Sequence, residues 1–187
     1  MSVVVLPART DSEIGGRLLA TFLCGAVACE PSLRDEIVAW IAQQDLAGLF
    51  SAEEAAFLEN PEPSDHTVTE FTWYVEVTAI LAWAGGLVEQ MPDAASQSSL
   101  GELVNHFPML GDPVHEFIDS IRARPSKDLH DARQRVEDLH GCARADRCHG
   151  RAVRHGADID VVSEQHRVLN WLTYAEYVDW DQVSTDT

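Results

Sequence analysis

Three groups of residues have types that could do chemistry. The first is one carboxylate, Glu76, the single charge in residues 71–88. Its helical neighbours are Thr72 at i−4, Ile80 at i+4 and Trp83 at i+7, so no polar face lies within its reach. A carboxylate so placed must be ion-paired, hydrogen-bonded or protonated. A partner has to come from distant sequence; Arg167 and His166 are the first candidates, then Arg133 and Arg135. With a cation beside it, Glu76 is a structural ion pair of lowered pKa. Without one, burial raises its pKa and suits it to general acid or base work.

The second group lies in residues 161–172. Val161, Val162, Val168, Leu169 and Leu172 form an apolar helical stripe. His166 and Asn170 stack at one border; Glu164, Arg167 and Trp171 group at the other, where Arg167 can pair with Glu164 and lie over Trp171. The plain role of such border residues is to tie the helix to the body. The chemical alternative gathers Glu76, His166, Arg167 and Asn170 into one polar site between two helices.

The third group is His140, Cys142, Cys148, His149 and His155. Their spacing departs from paired-cysteine zinc sites, and Arg144, Arg147, Arg151 and Arg154 repel a dication. No metal or cofactor is expected there. A Cys–His nucleophile would need an orienting partner, and none can be named. The sequence holds no phosphate-cradling glycine loop, nucleophile elbow or HExxH. No catalytic residue is assigned, and the reading leans away from an enzyme.

The elements that must carry these residues read as helices throughout: an all-α, single compact domain over residues 1–187, of about seven or eight helices. Residues 1–11 are expected to be flexible, and VVVL at 3–6 is the only run that could be a strand. Ser32 with Asp35, Ser51 with Glu54, and Thr67 with Glu70 look like helix starts. Asp112-Pro113 should open a helix through about Arg124, Pro125-Ser126 another toward Cys142, and Asp158 or Asp160 the last, through Leu172. Residues 68–84, apolar on nearly every side and stopped by Gly85-Gly86, should form the buried central helix. Trp73, Trp171 and Trp180 are the expected anchors. Trp180 and Val183 should hold an ordered tail through Asp179, Asp181 and Asp186.

The ending EQHRVLNWL followed by DWDQVSTDT resembles the signature of a bacterial family, domain of unknown function 4272. FSAEEAAFLENPEPS and FTWYVEVTAILAWAGGLVEQMP fit the same family. The resemblance covers most of residues 17–187 and is weakest over 101–156. It implies a mainly helical, cytoplasmic protein and no assigned activity. Relatives carry Trp-Arg-x-Glu in the central helix; here the run is Trp73, Tyr74, Val75, Glu76, so a site built on that arginine is in doubt.

Charge narrows the partners. The net charge is −18, which repels nucleic-acid phosphates and anionic lipid. Nine of the thirteen bases fall in residues 122–154 with five acids, a balance of +4, which leaves −22 on the rest. A basic helix pair neutralising an acidic body is the simplest account. Aromatic residues do not interleave with the basic segment, against a nucleic-acid platform. The apolar run 18–29 could pass for a signal core, but it starts late, follows Asp11 and Glu13, and has helical core spacing. Acidic flanks and the glycine stop speak against a membrane span at 71–88. Cys24, Cys29, Cys142 and Cys148 are expected to be reduced thiols in the cytoplasm. The leading expectation is a non-enzymatic module binding a basic protein, immunity- or inhibitor-like. The alternative is a small-molecule sensor or enzyme with a pocket between the Glu76 helix and the last helix.

Overall fold

Some helices of this chain begin where a side-chain oxygen accepts a free N–H group of the first turn, and the others follow directly from a preceding turn or proline. The computed structural model describes residues 8–153, 156–177 and 179–185. Its helices are α1 (Asp11–Cys29), α2 (Arg34–Gln43), α3 (Ala52–Glu59), α4 (Asp65–Thr72), α5 (Tyr74–Ala84), α6 (Leu100–Leu103), α7 (His115–Ser120), α8 (Ser126–Cys148) and α9 (Ile159–Thr173). The all-α class holds: there is no strand among the described residues. The VVVL run, most of the segment expected to be flexible, Arg154, His155 and Asp186 lie outside them.

Thr10 with Glu13 and Ser51 with Glu54 form reciprocal capping boxes on α1 and α3. Asp158 caps α9 as expected. Three starts differ. Ser32 donates to Glu30 Oε1 at 2.5 Å and caps nothing, because Pro31–Leu33 forms a 3₁₀ turn that feeds α2 at Arg34. Ser64, not Thr67, caps α4; its Oγ accepts from Thr67 N at 3.2 Å, so the helix begins one turn earlier. Asp112 accepts from Met109 N at 3.1 Å and stays in a turn, and α7 begins at His115 and ends at Ser120.

The expected central helix is two helices. Trp73 N donates to Glu70 O and Glu76 N to Trp73 O, the i to i+3 bonds of a tight turn that separates α4 from α5. Trp73 is therefore half-buried at a joint, whereas Trp171 and Trp180 are buried. Every residue of α5 is buried. Gly86 ends the helix with φ +78°, and a Cβ there would stand 2.8 Å from Arg122 O. That close approach lets residues 122–124 lie along the α5 terminus, with Arg122 N donating to Gly85 O and Arg124 N to Ala84 O.

α5 packs between α1 and α9, and α8 lies along α9. α1 is long and apolar enough to cross a membrane by length and composition alone; fourteen of its residues are buried against neighbouring helices. α8 runs to Cys148, past the expected Cys142, so the basic segment is mostly helix. Alanine and arginine favour helix, and the pairs Lys127–Asp131 and Arg133–Glu137 stand at i, i+4. All four cysteines are free: Cys24 is buried, Cys142 half-buried, Cys29 and Cys148 exposed.

Candidate functional site

Glu76 is fully buried on α5, as its apolar surroundings require. Its partner is not a cation. Ser98, on the loop after α5, donates its N–H to Oε1 at 2.5 Å and its hydroxyl to Oε2 at 3.0 Å. Among the described residues no arginine or histidine pairs with it, which corrects the expectation of an Arg167, His166, Arg133 or Arg135 partner. Burial raises the Glu76 pKa, the Ser98 bonds oppose the rise, and Asp158 adds to it. The loop is held over α9 by Gln165 Nε2 donating to Asp93 O at 3.1 Å and Asp158 N to Ala94 O at 2.8 Å.

His166, Arg167 and Asn170 point to three other places. His166 is fully buried against α8, its Nδ1 3.0 Å from Nδ1 of His140, so one ring donates and the other accepts. Burial first, then His140, lowers His166 to about 4; burial, then Arg144, lowers His140. Neutral rings suit a contact of this kind. Asn170 donates to Ser184 O at 2.9 Å. Arg167 lies 4.6 Å over the Trp180 ring and 3.8 Å from Glu164 Oε2. The four polar residues are thus separate fasteners: Glu76 holds a loop, His166 a neighbouring helix, Arg167 and Asn170 the tail. His140, expected in a basic loop, faces this core, while Cys148 and His149 are exposed at the α8 end.

The tail fastening is extensive. Trp180 is buried between Arg17, 5.1 Å over one face, and Arg167. Its indole N–H donates to the Tyr74 hydroxyl at 3.2 Å, and its ring meets Trp171 edge-on at 5.8 Å. Tyr74, at the position where the resemblance leads one to expect arginine, supplies an oxygen here; burial, then the Glu54 charge, hold its hydroxyl protonated. Asp181 accepts from Glu53 N at 3.1 Å.

Beneath Trp180 lies a pair that sequence reading missed. Arg17 donates to Glu54 Oε2, with both side chains buried. Glu54 was legible as a capping residue only. The available signal was Arg17 itself, the one base of α1 and the only charge beyond its acidic first turn. A cleft of about 310 Å³ opens over this pair, lined by Arg17, Ser51, Trp171 and Trp180 with Glu13 and Asp179 at hand. Arg17 Nε and Glu54 Oε1 have no partner among the described residues.

Charge divides along the sequence more sharply than expected. Residues 35–121 contain sixteen acids and no lysine or arginine, and fourteen of those acids are exposed. Of the four bases outside residues 122–154, Arg9, Arg17 and Arg34 are buried and Arg167 half-buried. Arg34 is spent on the α3 terminus, donating to Phe57 O and Leu58 O. Within the basic segment several bases pair locally, as Lys127–Asp131, Arg133–Glu137 and Arg151–Asp146.

Comparison with curated proteins and with solved structures gives no match. A family model does match, over residues 4–183, and its description is domain of unknown function, DUF4272. Since that match spans nearly the whole chain, the protein belongs to the DUF4272 family.

Proposed function

We propose that the protein is a non-enzymatic interaction module that binds a basic protein through its acidic face, in the manner of an immunity protein or inhibitor, in the cytoplasm. The observation that carries this reading is the run of residues 35–121: fourteen exposed acids with no lysine or arginine among them. Acids on an ordinary surface are interspersed with bases that shorten their field. Here no base interrupts the run, so an excess of negative field reaches solvent and would speed encounter with a cationic surface. The same field disfavours nucleic acid and anionic membranes.

Affinity capture from the native cell at low and high salt tests the proposal. A basic protein should be retained at low salt and released at high salt. A variant carrying Asp35→Lys, Glu59→Lys and Glu62→Lys should lose it. Recovery of no salt-sensitive partner, or retention by the variant, overturns the reading.

A small-molecule role is the second reading, and one observation favours it. The cleft combines the aromatic walls Trp171 and Trp180 with Arg17, whose guanidinium is paired with Glu54 behind it. On this reading the pocket lies between α1, residues 48–51, Trp171 of α9 and the tail, away from Glu76. A metabolite that raises the melting temperature of the wild type but not of Trp171→Ala would support it; a thermal-shift screen without such a ligand would count against it.

A further inference from the structure

Three large hydrophobic side chains stand exposed among the described residues: Val38, Val104 and Met109. All three border grooves beside α2. Val104 and Met109, 48% and 77% exposed, rim a groove of about 410 Å³ between α1, α2 and residues 104–110. Its floor is the stacked pair Phe22 and Phe107, centroids 3.8 Å apart, and Leu33 and Trp40 wall it. Trp40 is 3% exposed, yet its indole N–H has no acceptor among the described residues. Val38 lines a smaller apolar groove, about 180 Å³, on another side of α2.

The charges around these grooves are of one sign. Glu36 lines the first and Glu59 the second, and no lysine or arginine lines either. Asp112 Oδ2 holds the Met109 backbone N–H at 3.1 Å, and exposed Glu102 lies two residues before Val104.

We infer that the groove over Phe22 and Phe107 receives the apolar side chains of a basic amphipathic segment of a partner protein. The inference rests on the reading of this chain as an acidic interaction module and gives that module its contact point. An apolar floor rewards burial of leucine-like side chains, while Glu36 in the lining and Asp112 beside Met109 reward lysine or arginine on the flanks of the same segment. A second copy of this chain would set acids against acids, and an anionic lipid surface would be repelled. A flexible methionine at the rim suits a groove that must adapt to its guest.

A synthetic lysine–leucine peptide with leucines at helical i, i+3, i+4 spacing is a direct probe. Its controls are a scrambled peptide of the same composition and an oligolysine of equal charge. Affinities are measured at low salt for the wild type, Met109→Asp and Val104→Asp/Met109→Asp, whose unchanged circular dichroism confirms the fold. The amphipathic peptide should bind the wild type about tenfold more tightly than either control, a margin of about 1.4 kcal/mol. The variants should lose that margin while binding oligolysine at least as tightly as the wild type does, because each added acid strengthens attraction. Hydrogen exchange should slow at residues 22–40 and 104–110. If the variants keep the margin, or protection falls elsewhere, the groove inference fails and the acidic-module reading stands. If neither amphipathic peptide nor oligolysine binds at low salt, both fail.

Discussion

Glu54 and Glu76 are both fully buried carboxylates, and the molecule treats them in opposite ways. Glu54 comes from a polar stretch, caps its own helix, and ends against the Arg17 guanidinium under Trp180. Glu76 comes from the most apolar helix of the chain and ends on the N–H and hydroxyl of Ser98. One region therefore holds a full charge pair out of water; the other holds a carboxylate with neutral donors on a loop. The contrast teaches that the surroundings of a lone charge say whether it is buried, not what satisfies it. It also ranks the two sites. Removing one member of a buried ion pair strands the other, whereas a hydrogen-bonded acid can be replaced by a neutral isostere.

The largest effect should follow Arg17→Met. It leaves Glu54 buried without its cation and strips one face of Trp180, so a loss of about 3–5 kcal/mol is expected. At the size of this chain that corresponds to a melting temperature lower by about 10 °C. The double variant Arg17→Met/Glu54→Leu should recover most of the loss, since an apolar pair can replace a buried ionic one. Thermal and urea melts of the three proteins decide the matter. A single variant within about 1 kcal/mol of wild type would mean the pair holds little together.

Next comes the tail that covers this pair. Trp180→Ala should cost about 3 kcal/mol through the lost burial of a ring packed on Trp171 and two guanidinium groups. A chain ending at Tyr177 should melt several degrees lower for the same reason. Because Arg17 touches Trp180, the two substitutions should not add when combined. Full additivity would show that tail and ion pair are independent.

How much of this was legible in advance follows the range of the forces involved. Helix starts set by a side chain three residues away, such as Ser51 with Glu54 or Asp158 on α9, could be read directly. So could the Gly85-Gly86 stop and the burial of Glu76. Ser32-Asp35 and Asp112-Pro113 misled because a neighbouring 3₁₀ turn and a loop bond claimed the capping side chains first. The partners of Glu76, His166 and Arg17 could not be read at all. Each lies 22 to 37 residues away, and a serine in a polar loop carries no mark that it will close over a carboxylate.

The α8–α9 contact sharpens the comparison through pH. An unfolded histidine titrates near 6.5, while His166 is held at about 4, first by burial and then by His140. The unfolded chain therefore takes up the proton first. Stability from this group is complete above about pH 6.5, falls as pH drops, and is gone near 4, on the order of 3 kcal/mol in total. Glu76 and Glu164 act with the opposite sign. Their raised values make their contribution full below 4.5 and lost as pH rises through the folded pKa. Melts between about pH 7.5 and 5.5 should show the wild type losing about 1 kcal/mol more than His166→Gln. Parallel slopes would show that His166 is not the group that titrates.

The smallest effect should belong to Glu76→Gln, which tests the contrast from its other side. Gln keeps the shape of Glu, its Oε1 can still accept from Ser98 N–H, and its amide can donate to the Ser98 oxygen. The variant gives up a charge-assisted bond, worth somewhat more than a neutral one, but it also removes the desolvation of a buried anion that raises the Glu76 pKa. These terms oppose each other, so the net change near neutral pH should stay within about 1 kcal/mol. The variant should also lose the part of the stability–pH curve that declines as pH rises above 4.5, and so gain on wild type at higher pH. Glu76→Ala should cost more, because it empties a packed site and leaves Ser98 N–H without its acceptor. Urea melts of both variants across that pH range provide the measurement. If Glu76→Gln costs as much as Arg17→Met, Glu76 depends on its charge after all, and the two carboxylates do not differ in the way their neighbours indicate.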